Sequence, residues 1–295
     1  MLKRRHVRVT IGSVATGSGL VINDIDQRNE PQLRVDFDVK KLQGGAPNLA
    51  VVRIYNLSPE RRNAIEKEYS KIILEYAEDI NGPGGISVIY IGQLVNVITA
   101  KESGTDIVTT LFCGSGINAY QNATVHLTVE AGSLVREVIG QVVKDVENFG
   151  TEIGVIDKSI TGDVGSRGKT FSGTVRDVMN DVLRNSGYSW SINDDVLEVK
   201  SDVTETKERL LITPANGLIG SVKRTTVGFD FTTVLNPALR PGQTVGVFSE
   251  FVDSSEASLH FLKVRSDSGG RVRIMSLNHK GSNRGEAVTS VVGIR

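Results

Sequence analysis

Apolar and charged residues alternate without a break over the eight residues from Leu33 to Lys40. Such an alternation predicts a strand with one buried and one solvated face. A Gly44-Gly45 turn and a second apolar run, Leu49–Tyr55, follow. Ser58-Pro59-Glu60 then predicts the start of a helix, because serine accepts from first-turn amides, proline fits the first position and glutamate suits the positive end. Strand, turn, strand and capped helix indicate a scaffold.

The same patterns divide the chain into three regions. Residues 1–115 predict about eight short strands and one helix, typical of a barrel or sandwich. Residues 116–203 predict two amphipathic helices, Ser133–Asn148 and Thr174–Ser186, with Ser133 and Thr174 as caps. A hairpin over Tyr188–Val199 follows them, and we expect the polar loop Thr161–Thr170 between them to be exposed and mobile.

Residues 204–295 predict strands again, Ser258–Val264 among them, and a loose polar tail after Gly281 that a partner would have to order. The predicted fold is therefore mainly β with an α+β insert. Its predicted domains are 1–115, 116–203 and 204–295.

Composition narrows the function classes. The 295 residues carry 34 basic and 34 acidic side chains, so the formal net charge is zero, unlike that of a strongly basic nucleic-acid binder. The single cysteine, Cys113, ends an apolar run and is expected to be a small buried hydrophobe. No run approaches the ~18 apolar residues of a membrane helix, and no signal-peptide core follows the basic start. We expect a protein kept in a reducing cytoplasm, or one exported without a cleaved signal.

Two glycine motifs resemble nucleotide-binding loops. Gly168-Lys169-Thr170 matches the end of a phosphate loop, but Asp163 stands where the first glycine is needed and the next helix starts too late. Gly114-Ser-Gly116-Ile-Asn-Ala119 matches the dinucleotide pattern, but the residues after it predict a turn rather than a helix. A flexible loop and a tight turn are the favoured interpretations.

Catalytic and metal-binding patterns are incomplete throughout the sequence. The four histidines, His6, His126, His260 and His279, lack metal-ligand spacing. Ser115 lies one residue short of a nucleophile elbow. Asp36 and Asp38 share a strand face roughly 7 Å apart, which a hydrolase could use, but a solvated face is favoured. The sequence therefore predicts no catalytic, cofactor-binding or metal-binding residues and no cofactor.

Four segments resemble the baseplate hub proteins of tailed bacteriophages, the late-control group related to the spike proteins of contractile injection systems. The similar segments are FDVKK…RIYNLSPE, TLFCGSGINAY, VLRNSGYSWSINDDVLEV and LNPALRPGQTV. The resemblance implies two tail-tube-like β-barrel or sandwich domains that flank a small helical α+β module. It also implies a non-enzymatic virion protein of the tail baseplate, present in the host cytoplasm during assembly.

The partners implied by this resemblance are other copies of the chain in a homotrimer, the tail tube protein, the central spike, the tape-measure protein and other baseplate proteins. The ring would join the tube to the spike and line the channel, so that DNA meets it only in passing, without stable membrane insertion. One alternative is a tail-associated peptidoglycan-degrading enzyme that uses Asp36 and Asp38. A second is a secretion-pore subunit, because Leu183–Val199 also resembles small secretin-type modules.

Overall fold

The computed structural model describes residues 5–12, 18–24, 31–68, 70–79, 85–202, 210–253 and 269–294. The elements up to residue 122 are β1 (His6–Gly12), β2 (Gly19–Ile22), β3 (Val35–Leu42), β4 (Leu49–Tyr55), α1 (Pro59–Glu68), β5 (Lys71–Ala77), β6 (Ser87–Lys101), β7 (Ile107–Gly114) and α2 (Ile117–Asn122). Those up to residue 201 are β8 (Thr124–Val129), α3 (Val135–Glu147), β9 (Glu152–Ile156), β10 (Lys169–Thr174), α4 (Val175–Val182), β11 (Tyr188–Asn193) and β12 (Val196–Ser201). The remainder are β13 (Leu210–Ile212), β14 (Leu218–Arg224), β15 (Gly228–Val234), β16 (Thr244–Phe248), β17 (Val252–Asp253), β18 (Gly269–Ser282) and β19 (Ala287–Ile294).

The chain folds into two compact units. Unit 1 comprises Met1–Lys41, Leu49–Cys113 and Glu205–Arg295, and unit 2 comprises Leu42–Asn48 and Gly114–Thr204. The prediction of a mainly β chain with an α+β insert is confirmed. The division of unit 1 into two separate β domains, with boundaries near 115 and 203, stays a prediction.

Unit 1 is built on a 14-stranded sheet whose path runs β17-β14-β15-β19-β18-β3-β4-β7-β6-β5-β1-β2, with β13 and β16 attached beside β18. Among the described residues the path is open at β17 and β2 and does not close into barrels. Two apolar cores lie against the sheet, one centred on β1 and β3–β7 and one on β14–β16 and β18. The long strand β18 contacts both parts, because it pairs with β16 at its beginning and neighbours β3 as well.

The prediction of a loose tail after Gly281 is wrong. Residues 287–294 form β19, which pairs with β18 on one side and with β15 on the other. Its inward residues, Ala287, Thr289, Val291 and Gly293, are small or β-branched and buried. A side chain at Gly293 would collide with Val272, since an added Cβ would lie 2.0 Å from its Cγ1. The small residues that suggested a loose tail are therefore the ones that fit the crowded position of β19 in the sheet.

Unit 2 packs α3 and α4 against short strands around a core that contains Trp190. Both predicted helices are present, but α3 starts after Leu134, so Ser133 is not its cap. Thr174 does cap α4, since its Oγ1 accepts from the Asp177 amide at 3.2 Å, and α4 ends at Val182, four residues early. The Thr161–Thr170 loop is largely exposed, as predicted, but its backbone is hydrogen-bonded to residues 132–135.

Ser58 also caps its helix as predicted, accepting from the Arg61 amide at 3.4 Å. The predicted strand Ser258–Val264 and His260 lie outside the described residues. In the described part of the chain, no helix has both the length and the apolar character needed to span a bilayer.

Candidate functional site

A charged groove lies on the outer face of β3 and β4 in unit 1. Its cavity measures about 500 Å³, and its third wall is the end of β18 with the turn that leads into β19. The lining residues are Arg34, Asp36, Phe37, Asp38, Lys40, Leu49, Val51, Arg53, Lys280, Gly281, Ser282, Gly285 and Glu286. The alternation along β3 that buries Val35, Phe37 and Val39 is what presents the charged residues to this groove.

Asp36 is held as an anion at one end of the groove. Arg34 donates two hydrogen bonds to it, from Nε to Oδ1 at 3.1 Å and from Nη2 to Oδ2 at 2.7 Å. Burial alone would raise the pKa of Asp36, but the hydrogen bonds from Arg34 and Ser282 and the Arg34 charge keep it below its usual value. Arg34 also stacks over the Tyr55 ring, with Cζ 4.3 Å from the centroid.

In contrast to Asp36, four other charged groups of the groove have polar atoms without a partner among the described residues. Lys40, Arg53 and Lys280 are exposed and make no hydrogen bond or ion pair among the described residues. Asp38 is half-buried, and its Oδ1 is buried without a hydrogen-bond partner in the described part of the chain. The groove thus combines cations open to an incoming anion with one carboxylate oxygen that lacks a donor.

The wall opposite β4 is fixed by hydrogen bonds. Asn283 accepts from the Val35 amide at 3.0 Å and donates to the Leu33 carbonyl at 2.8 Å. Arg284 donates to the Gln32 carbonyl at 3.0 Å. The turn between β18 and β19 is therefore attached to the residues that precede β3, and the groove is formed before anything binds.

The surroundings of Asp36 limit the role that it could take in acid–base catalysis. Asp36 and Asp38 do face the same groove, as the strand pattern predicted. A glycosidase of this type needs one carboxyl group with a raised pKa to protonate the leaving group. The pKa of Asp36 is lowered instead, and its oxygens are engaged by Arg34. Asp36 is therefore unsuited to be the proton donor of such a pair.

In unit 2, buried side chains form hydrogen bonds with the backbone in a cluster that we call the polar junction. We define it as Asn48, Ser115, Gly116, Asn193 and Asp195. Asp195 Oδ1 accepts from the Gly116 amide at 2.7 Å, and the Asp195 amide donates to Ser115 Oγ at 2.7 Å. Asp194 and Asp195 have φ of 53° and 61°, the backbone of a tight two-residue hairpin turn.

Asn48 completes the polar junction from the loop Leu42–Asn48. Its side chain accepts from the Leu42 amide at 2.8 Å and donates to the Ile192 carbonyl at 3.2 Å. Its backbone carbonyl accepts from the Ser115 amide at 2.9 Å. Asn48 is completely buried, so these bonds position the loop and contact no external ligand.

The prediction that no helix follows Gly114-Ser-Gly116 is wrong, because α2 starts at Ile117. A phosphate is nevertheless excluded from this turn: the Gly116 amide is bound to Asp195, and Ser115 is fully buried. At the other glycine motif, Lys169 Nζ lies 2.6 Å from Asp181 Oδ2 and above the Phe171 ring. Lys169 is therefore already paired with Asp181 of the same unit.

The cysteine and the described histidines have structural partners. Cys113 is buried as predicted, and burial raises the pKa of its thiol to about 12. His6, His126 and His279 contact Gln32, Ser172 and Thr289 through Nδ1. Within the described ranges, no group of three or more metal-ligating side chains comes together.

The residues on one side of the groove were predicted to share a solvated strand face, and those on the other side were not predicted to lie near them. Arg34, Asp36, Asp38 and Lys40 follow from the strand alternation. Lys280 and Glu286 lie about 240 residues away in sequence, within a segment that was predicted to end in a loose tail. The polar junction was missed because Asn48 and Asp195 resemble ordinary turn residues.

Comparison with known proteins adds a family and a fold. The sequence model of the family described as baseplate hub gp41 matches residues 8–261. No curated protein sequence matches the chain. The fold is similar to that of the tail protein from Neisseria meningitidis MC58, with 9% identity, a TM-score of 0.61, and 98% of this chain and 97% of that chain covered.

Two further solved structures have similar folds. The 43 kDa tail protein of prophage MuSo2 from Shewanella oneidensis is 9% identical with a TM-score of 0.60, and 98% of each chain is covered. The E. coli c3393 protein, a type VI secretion component described as similar to T4 tail proteins gp27 and gp5, is 10% identical with a TM-score of 0.57. There the match covers 89% of this chain and 73% of that chain.

Proposed function

Because the chain belongs to the baseplate hub gp41 family, we propose that it forms a ring that joins the tail tube to the central spike in a phage tail baseplate. Its channel would pass DNA and the tape-measure protein. The chain would act without catalysing a reaction, assemble in the host cytoplasm and remain in the virion tail. Its partners would be its own copies, the tube protein, the spike, the tape-measure protein and other baseplate proteins.

The architecture of unit 1 carries this proposal. Two apolar cores, formed mainly by residues before 114 and after 211, share one sheet through the neighbouring strands β3 and β18. A subunit with two β bodies gives six such bodies when three subunits close a ring. A homotrimer built in this way would match a sixfold tube.

The oligomeric state of the purified chain tests the ring. Native mass spectrometry should show a species of three times the chain mass of 31.9 kDa, and imaging of tail particles should place the chain between tube and spike. A strict monomer that never co-purifies with tail components would contradict the proposal.

The second candidate function is peptidoglycan hydrolysis, favoured only by the presence of Asp36 and Asp38 in one groove. We expect the purified chain to leave peptidoglycan intact. Hydrolysis that is lost in Asp36→Asn, with an unchanged circular dichroism spectrum, would replace the structural proposal with the enzymatic one.

A further inference from the structure

We propose that the charged groove binds an extended segment of another tail protein that carries a carboxylate side chain next to a hydrogen-bond donor. The inference rests on the proposed function, since it names the chemistry of one baseplate partner. It depends on the groups of the groove that have no partner in the described chain.

The three cations select a carboxylate. Lys40 pairs across strands with Leu49, and Arg53 with Asp36, so the two cations lie on the same outward face of β3 and β4. Lys280 approaches from the β18 side. Each is without an ion-pair partner in the described residues, so a carboxylate in the groove would gain charge-assisted hydrogen bonds without displacing an existing partner.

Asp38 selects the donor. Its Oδ1 is shielded from solvent but receives no hydrogen bond from the described residues. An acceptor left in this condition is unfavourable until a donor reaches it. Since that oxygen is closed to solvent in the unbound chain, a backbone N–H or a basic side chain of the segment would bind the half-buried carboxylate once the Asp38 side chain turns toward the groove.

Charge and shape favour a protein segment over nucleic acid. Asp36, Asp38 and Glu286 line the same groove and would repel a phosphate backbone. Leu49 is 51% exposed at the edge of the groove and offers apolar contact. A peptide can satisfy cations, carboxylates and an apolar residue together, whereas a strand of phosphates satisfies only the cations.

The groove is also prepared for binding. Arg34 and Asp36 hold each other, and Asn283 fixes the opposite wall through Val35 and Leu33. Since these groups need no ordering on association, little of the binding free energy is lost to them.

Photo-cross-linking within assembled tail particles tests the proposal. A benzophenone amino acid replaces Leu49 in the groove, and a matched control places it at the exposed Val155 in unit 2. We expect the Leu49 probe to capture one segment of another tail protein that contains Asp or Glu together with Lys or Arg. Capture of DNA, of a second copy of this chain or of an uncharged segment would overturn the inference.

Two outcomes separate the inference from the function on which it rests. Particles that contain the chain but give no cross-link from Leu49 would overturn the groove proposal alone. Tail particles that never contain the chain would overturn both proposals.

Charge reversal supplies the second measurement. In particles that carry Lys40→Glu with Lys280→Glu, we expect at least a tenfold loss of the Leu49 cross-link. Lys158→Glu, an exposed lysine of unit 2, should leave the yield unchanged. An undiminished cross-link in the double variant would contradict the assigned role of the cations, and the milder pair Lys40→Gln with Lys280→Gln repeats the test if particles fail to assemble.

Discussion

The polar junction and the charged groove place aspartate side chains in different surroundings. In the polar junction, Asp195 is buried and its carboxylate binds the backbone of Gly116. In the groove, Asp38 is half-buried and no described residue donates to its Oδ1. The first aspartate is bound within the interior of its own unit, whereas the second lines a groove that is open to solvent.

The difference shows that residue type alone does not identify a functional site. Both regions contain Asp beside turn or strand residues. Burial separates them, and so do the hydrogen bonds that join Asp195 to Gly116 and Ser115. Mutations should therefore lower the stability of the molecule at the polar junction and leave it nearly unchanged at the groove.

Asp195→Ala should produce the largest effect. It removes the acceptor of the Gly116 amide and places alanine at φ 61°, so we expect unit 2 to lose about 3–5 kcal/mol. The chain has one tryptophan, Trp190, in the core of unit 2, so its fluorescence in urea follows this unit.

Asp194→Ala is the matched control, because φ is 53° there as well but Asp194 is only half-buried. It should cost about 1 kcal/mol through the left-handed backbone. Equal losses in the two variants would show that turn conformation, rather than the polar junction, determines the stability.

Gly116→Ala should have the next largest effect. An added Cβ would lie 2.6 Å from Ile192 Cγ2, at a φ of 64°, so overpacking and backbone strain combine to about 2–4 kcal/mol. Gly132 has a φ of 77° but no atom within 4 Å of an added Cβ. Gly132→Ala should cost only about 1 kcal/mol in the same measurement, and a similar cost at both glycines would rule out close packing at Gly116 as the cause.

Local patterns predicted the elements but not their connections. The alternation from Leu33 to Lys40 gave β3, and Ser58 and Thr174 marked helix starts, because each signal lies within a few residues. The pairing of β19 with β15 joins residues more than 50 positions apart. Its small inward residues have meaning only against neighbours such as Val272.

The groove likewise shows that local sequence patterns do not predict which strands become neighbours. The cations and carboxylates of β3 could be assigned to one face from the period of two. Lys280 joins them only because β18 neighbours β3, and no local pattern encodes that pairing.

Substitution of His279 tests whether the loss of stability depends on the burial of a residue rather than on the unit to which it belongs. This buried residue of unit 1 contacts Thr289 Oγ1 through Nδ1 at 2.8 Å, and Asn236 donates its amide to the same oxygen. The threonine hydroxyl is thus free to donate to a neutral ring. Burial, and then the Lys41 charge, lower the pKa of His279 to about 3.

The sign of the pH effect follows from this lowered pKa. Between about pH 6.5 and 3, His279 is protonated in the unfolded chain but stays neutral in the folded chain. The free energy of unfolding therefore falls as pH falls through this window. The limiting slope is about 1.4 kcal/mol per pH unit. Urea unfolding followed by far-ultraviolet circular dichroism at pH 7, 6, 5 and 4 should show a shallower slope in His279→Gln than in the unmodified chain. Identical slopes in His279→Gln and the unmodified chain would contradict the assignment.

The smallest effect on stability belongs to the groove. Lys40 and Lys280 are exposed and have no ion-pair partner among the described residues, so reversing both charges breaks no observed contact. We expect Lys40→Glu with Lys280→Glu to change the free energy of unfolding by no more than about 0.5 kcal/mol per substitution, measured by circular dichroism in urea. Lys158→Glu should behave alike. A large loss confined to the groove variant would mean that these lysines stabilise the fold, and the contrast between a structural junction and an open binding surface would then fail at the groove.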